Sequence, residues 1–206
     1  MFIKNNKPIK IIGFPESSMT QEYLEVFAKD GLKELSVVTP DNFTKLQNKE
    51  QYQYIIAFGL DINERRHICD ILDDQDLDCL TYINDDAYTF PSAKIGKGCF
   101  IGHQCIVSWD CIIGDHCYMT MTSAIAHHVS MGKNCLLYPR VEISGKTKIG
   151  ENCRFLIKSS VLSNLTICDN VTLSSFSNLT RDVTIPGTYT GTSARLMKKS
   201  LTDQDL

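Results

Sequence analysis

The sequence predicts a two-part protein: a small α/β unit with a parallel sheet, followed by a solenoid of short parallel strands. Three observations carry this prediction. An apolar residue recurs every six positions from Ile95 to Ile185, a small side chain usually stands four residues after each, and strand-like runs alternate with helix-like runs before the repeat begins.

The six-residue repeat sets the second part. Its apolar positions run Ile95, Ile101, Val107, Ile113, Met119, Ile125 and onward in the same register to Leu173, Leu179 and Ile185. An amphipathic helix repeats near 3.6 residues and a strand at 2, so neither sustains this pattern, whereas stacked short strands do. Six of the nine cysteines (Cys99, Cys105, Cys111, Cys117, Cys135 and Cys153) occupy the small position. Free cysteine behaves as a small buried hydrophobe, and a column of cysteines suits a narrow interior. Zinc sites favour close C-x₂-C pairs around one tetrahedral centre, which a spacing of six does not supply, so no metal is expected. The odd number of cysteines, together with the absence of a signal-like segment, predicts reduced thiols. Gly or another small residue often follows the apolar position, then a polar pair such as HQ, DH or KN, as turns require.

Ahead of the repeat, PIKIIGF (8–14), ELSVVT and QYIIAFG (53–59) read as strands. SSMTQEYLEVFAKDG reads as a helix capped at Ser17 or Ser18, DNFTKLQNKE as a short helix, and DINERRHICDILDDQ as a helix with Ile62, His67 or Ile68, and Ile71 or Leu72 on one face. DCLTYI reads as a last strand. This alternation implies a parallel sheet.

Composition bounds the function. Lys and Arg number 21 against 24 Asp and Glu, for a formal net charge of −3, and no basic block stands out. Nucleic-acid binding has no electrostatic footing here. The early apolar run IIGF is too short for a signal core or a membrane span, which predicts a cytoplasmic protein.

Over residues 92–195 the repeat resembles the hexapeptide-repeat, left-handed β-helix acyltransferases, whose triangular coils take three hexapeptides per turn. With its α/β N-terminal part, the chain resembles the subgroup of UDP-4-amino-sugar N-acetyltransferases and sialic acid O-acetyltransferases. The segment AFGLDINER is similar to that subgroup's A-x-G-N-x-x-x-R, with Arg65 displaced by one position, and Gly13 is what remains of its Gly-rich substrate loop. SAIAHHVSMG resembles H-[DE]-x-x-x-G, which aligns His127 with the general base and puts His128 where the subgroup has an acid. Ser144-Gly145 matches the border of the acetyl-CoA path, Thr120 stands where a relative places a sugar-contacting Asn, and Leu136 replaces a second histidine. GTSAR resembles the closing G-x-P-A-[KR], whose basic tail, here Arg195, Lys198 and Lys199, approaches the phosphates of coenzyme A. The predicted fold class is therefore an α/β N-terminal domain with a small, Rossmann-like parallel sheet (1–88), a left-handed parallel β-helix (89–188) and a C-terminal tail (189–206).

The resemblance implies an acetyl-CoA-dependent N-acetyltransferase acting on an amino sugar, nucleotide-linked, in surface glycan synthesis. It also implies a homotrimer with small-molecule sugar and coenzyme A as its partners. An O-acetyltransferase of a sialic acid-like sugar and a non-catalytic binding subunit are the alternatives. Acyl transfer needs a base near the acceptor, and histidine suits neutral pH. Of the others, His67 lies in a predicted helix, while His103 and His116 hold polar turn positions and are expected to be exposed. Three hexapeptides per coil stack residue n against n+18, so Gly145 should lie over His127 and leave room for a thin ligand such as a pantetheine arm. Glu142 is a candidate substitute for the missing acid.

Overall fold

The computed structural model describes residues 7–32, 34–59 and 61–199, with side chains through residue 197. The chain divides into two units between Tyr82 and Ile83, a few residues before the boundary expected at 88/89.

The first unit holds a parallel sheet of β1 (Ile9–Gly13), β2 (Leu35–Val38) and β3 (Gln53–Ala57) in the order β2-β1-β3. Its helices are α1 (Ser18–Lys29), α2 (Pro40–Lys45) and α3 (Ile62–Asp74). Each helix starts on a polar cap. Ser17 accepts from the Thr20 N–H, Thr39 precedes Pro40 and accepts from Asn42 N–H, and Asp61 accepts from both Asn63 and Glu64 N–H. These caps satisfy backbone donors that the first helical turn leaves open. Of the expected last strand, Cys79 makes an isolated parallel bridge to Tyr54, and Tyr82–Ile83 forms a separate two-residue strand. α3 buries Ile68 and Leu72, as its periodicity predicts, and also Cys69 and Arg65, which that pattern did not include. Arg65 is 1% exposed because its Nη1 donates to the carbonyls of Ile56 (3.0 Å) and Phe58 (2.7 Å), closing the end of β3.

The second unit is the predicted β-helix, a parallel solenoid of about 6 turns. Two-residue strands pair with partners 18 positions away, for example Tyr118 with Leu136 and Ala124 with Glu142. Three sheets result, joined at three corners. The hexapeptide apolar residues and the small residues four later form the interior, from Cys99 and Ile101 to Leu173 and Leu179, all buried except Leu165, which is partly buried. Between them, the residue three after each apolar position takes a left-handed conformation, from Gln104 (φ 52°) through Asp110, His116, Thr122, His128 and onward to Phe176 (φ 58°). Asn, Asp and His tolerate this region better than most, which explains part of the polar turn pattern.

The interior cysteines do more than fill space. Cys99, Cys117 and Cys135 point Sγ at the carbonyls of Gly114, Gly132 and Gly150 at 3.2–3.3 Å. Ser123 and Thr147 donate to the equivalent carbonyls of Tyr138 (2.9 Å) and Leu162 (3.1 Å). A small side chain with a donor is what this position uses, so Cys, Ser and Thr interchange along the column.

Two expectations are corrected. The six-residue register does not run to Ile185: Ile167 pairs with Val183 and Leu173 with Tyr189, sixteen residues on instead of eighteen. The final corner is two residues shorter, with Asp182 Oδ1 accepting from Thr166 N–H at 2.8 Å, so Val183 takes the interior place and Ile185 is 44% exposed. Tyr189 then fills the end of the interior, its hydroxyl donating to the Ile185 carbonyl. Likewise His116 is buried instead of exposed. It belongs to a corner column continued by buried Asn134 and Asn152, which hydrogen-bond each other at 2.9 Å. His67 and His103 are exposed, and His103 lies 2.8 Å from Asp86. The tail forms a hairpin, Gly187–Thr190 against Arg195–Lys199, that covers the open edge of one sheet. An uncovered edge would offer unpaired backbone groups to another strand.

Candidate active site

The predicted base sits at the corner between the sheet holding Ala124–Ile125 and the sheet holding Ser130–Met131. Here the coils stack Trp109, His127 and Gly145 in one column and Asp110, His128 and Lys146 in the next. The backbone ladder holds the register: His128 N–H donates to Trp109 O (3.1 Å) and Lys146 N–H to His127 O (2.9 Å). Side chains at this corner therefore project from a rigid frame, not from a flexible loop.

The His127 ring is held on both faces. Below, Trp109 stacks on it at 5.1 Å between centroids and 23° between planes. Above, a Cβ on Gly145 would fall 2.8 Å from His127 Cε1 and 2.9 Å from Nε2. The n+18 relation between residues 127 and 145 is as expected. The space that the glycine leaves, however, is taken by the imidazole itself, so Gly145 seats the His127 ring against Trp109.

His127 Nδ1 lies 3.1 Å from His128 Nδ1. His128 Nε2 in turn lies 3.7 Å from Asp110 Oδ2, within ion-pair range. Glu142, the expected substitute acid, instead projects from the strand beside the corner. It lines an open groove of about 300 Å³ together with Ile106, Ser108, Ala124, Ala126 and Ser144. The groove exists because Ala124 stands between Ile106 and Glu142, and Ala126 between Ser108 and Ser144, in their 18-residue columns. Small side chains on the middle coil leave a trough whose lining includes Ala126 and Ser144, the residues next in sequence to His127 and Gly145.

The other predicted residues are distributed as follows. Ser144 lines the groove and Gly145 packs against the His127 ring. Arg195 lies in the tail hairpin, where its Nη1 donates to Ser193 O (2.8 Å) and Oγ (3.1 Å), and Ser193 Oγ is 3.1 Å from Thr180 Oγ1. Thr180 heads the column of Ala126, Ser144 and Leu162. With about 4.8 Å per coil, Arg195 approaches this corner about 14 Å along the solenoid from His127. The Lys198 side chain is outside the described residues. Thr120 is buried at a different corner, where its carbonyl accepts from Cys105 Sγ, so the fold of one chain does not bring it to His127. Gly13, in the first unit, ends β1 where a Cβ would meet Thr20 Oγ1 at 2.5 Å and the Ala57 carbonyl at 2.8 Å. Close packing of α1 and β3 is reason enough for that glycine.

Sequence reasoning missed Trp109 and Asp110. The signal was available: the same 18-residue step that leads up from His127 to Gly145 leads down to Trp109, the single tryptophan of the chain.

No protein-family model matches this chain, and no curated protein matches it. Solved structures do. A perosamine N-acetyltransferase from Caulobacter crescentus, in complex with CoA and GDP-perosamine, superposes with a TM-score of 0.81 at 17% identity, covering 97% of this chain and 100% of that one. The acetyltransferase domain of PglB from Neisseria gonorrhoeae, in complex with acetyl coenzyme A, gives 0.83 at 20%, covering 94% and 100%. WeeI from Acinetobacter baumannii gives 0.70 at 15%, covering 93% and 100%. This chain thus has, over nearly its whole described length, the fold seen in those acetyltransferase structures: a small parallel α/β unit followed by a β-helix.

Proposed function

We propose that this protein is an acetyl-CoA-dependent N-acetyltransferase of an amino sugar, with the sugar carried on a nucleotide. The observation that carries the reading is an imidazole clamped between Trp109 and Gly145, next in sequence to the Ala126 and Ser144 that line a groove, on a fold also seen in a perosamine N-acetyltransferase structure. The acceptor nitrogen attacks the thioester carbonyl, His127 Nε2 takes the N–H proton, and the C–S bond breaks to release the thiol, to whose sulfur the proton is returned. No covalent enzyme intermediate is needed. Ser144 and the neighbouring groove wall border the acyl donor, and Arg195, further along the same corner, faces its phosphates by charge. Gly13 and Thr120 belong to the acceptor side in this reading. Thr120 would reach the base of a neighbouring copy, since its own chain holds it at another corner.

A homotrimer fits that requirement. Exposed Ile106, Ile112, Met121 and Ile157 on the solenoid are apolar surface that self-association would cover. Among the described residues no helix is long and apolar enough to cross a membrane. We place the protein in the cytoplasm, in surface-polysaccharide synthesis, where nucleotide-linked sugars are the substrates.

The test is thiol release from acetyl-CoA in the presence of nucleotide-linked amino sugars, followed by mass spectrometry of the acceptor. The native protein should add 42 mass units (about one acetyl for one hydrogen), and His127→Ala should lose roughly 10²–10⁴ in kcat/KM. Full activity in that variant removes the base. Acetylation of a sialic acid-like hydroxyl in place of the amine would shift the assignment to O-acetyl transfer.

A further inference from the structure

We propose that Asp110, acting through His128, is a positioning residue that sets the tautomer of His127 and receives its charge; this rests on the reading of His127 as the base. The residue after the base is an imidazole, which cannot by itself balance a proton gained next door. The fold supplies the missing carboxylate from one coil earlier. Asp110 and His128 occupy the same left-handed turn position of adjacent coils (φ 55° and 58°), so the ladder places the carboxylate beneath the second ring.

The contacts admit one arrangement that serves catalysis. With both rings neutral, the 3.1 Å contact between the two Nδ1 atoms needs one donor and one acceptor. If His128 directs its Nε2–H at Asp110, its Nδ1 is an acceptor, His127 must donate from Nδ1, and the lone pair on His127 Nε2 is left open for the acceptor's proton. The opposite pairing would put a lone pair against the carboxylate and leave His127 Nε2 protonated and inert as a base. During transfer, the proton arriving at His127 Nε2 is matched by one passing from His127 Nδ1 to His128 Nδ1. The positive charge then stands on His128, 3.7 Å from Asp110, and returns by the reverse step when the thiolate is protonated. The acid that the resembled subgroup carries next to its base is replaced here by a two-ring relay. The other charged groups on elements packed around the pair are Lys146, one coil above His128, and Glu142 in the groove.

Two experiments test this. In the unmodified protein, ¹⁵N NMR of the imidazoles should find His127 protonated at Nδ1 and His128 at Nε2, and Asp110→Asn should mix the His128 tautomers. The opposite assignment in the native protein overturns the proposal whether or not a substrate is known. In the thiol-release assay, Asp110→Asn should lower kcat/KM about tenfold, because the carboxylate that fixes the His128 tautomer has gone. Asp110→Glu should recover most of the rate. In a His128→Phe background, Asp110→Asn should have almost no further effect, since the coupling passes through that ring. An undiminished effect there defeats the relay. If instead His127→Ala is fully active, it is the assignment of the base that has failed.

Discussion

Substitution of Gly145 by Ala isolates the clamp on the His127 ring. Gly145 does not have a positive φ, so alanine carries no backbone penalty there and acts only through its methyl group. That methyl would lie 2.8, 2.9 and 3.2 Å from Cε1, Nε2 and Nδ1 of His127. Ordinary carbon contacts lie at about 3.5–4.0 Å, so the ring must retreat by roughly 0.6–1 Å. Trp109 blocks a straight retreat, and the ring therefore tilts outward. A displacement of about 1 Å at a reacting group costs on the order of 10²-fold in rate. The stability cost should be small, about 1 kcal/mol, at the low end for overpacking because the ring is only half buried. For a chain of this length that is a fall in Tm of about 2–4 °C. The expected result is kcat/KM for thiol release down about 10²-fold, with the affinity for coenzyme A, measured by calorimetry, within a few-fold of native. A His127→Ala background supplies the control: without the imidazole, Gly145→Ala should be neutral in Tm. Gly145→Ala within twofold of native activity, or an equal Tm loss with and without His127, would refute the clamp.

Two further outcomes follow from the buried groups. Burial, with the adjoining Cys117 thiol adding to it, pushes the Cys99 and Cys135 thiols well up. The folded state then keeps protons that the unfolded chain releases above about pH 9, so stability should fall as pH rises past that point, by about 1.4 kcal/mol per thiol per pH unit. Urea unfolding at pH 8, 9 and 10 measures it, and Cys135→Val should flatten the slope; an unchanged slope contradicts the assignment. Arg65→Leu should cost the first unit about 3 kcal/mol by leaving the Ile56 and Phe58 carbonyls without their charged donor. Denaturant unfolding followed by hydrogen exchange along β3 reads it, and a loss under about 1 kcal/mol would mean water replaces the guanidinium.

The sequence by itself determined the architecture and one vertical contact. A ladder of parallel strands repeats its partners at a constant interval, so a six-residue pattern with three strands per coil dictates that Gly145 stands over His127, and that the cysteines line the interior. Local signals sufficed in the first unit too, where Ser17, Thr39 and Asp61 each begin a helix. Tertiary structure alone decided what surrounds those positions. Whether a turn residue is solvated depends on side chains from other coils, which is why His116 is buried while His103 is not. Competition between two apolar residues, Val183 and Ile185, was settled by the length of one corner and a carboxylate on Thr166 N–H, neither of which a periodic pattern records. Arg65 looked like an exposed helix residue until the carbonyls at the end of β3 came within its reach. The carboxylate beside His128 also came from another coil: Asp110 is distant in sequence from His127, and only the stacking of coils turns that distance into a charge beside the second imidazole. Charge and packing act through space, and a repeat reports which residues are neighbours without reporting how their side chains divide the room between them.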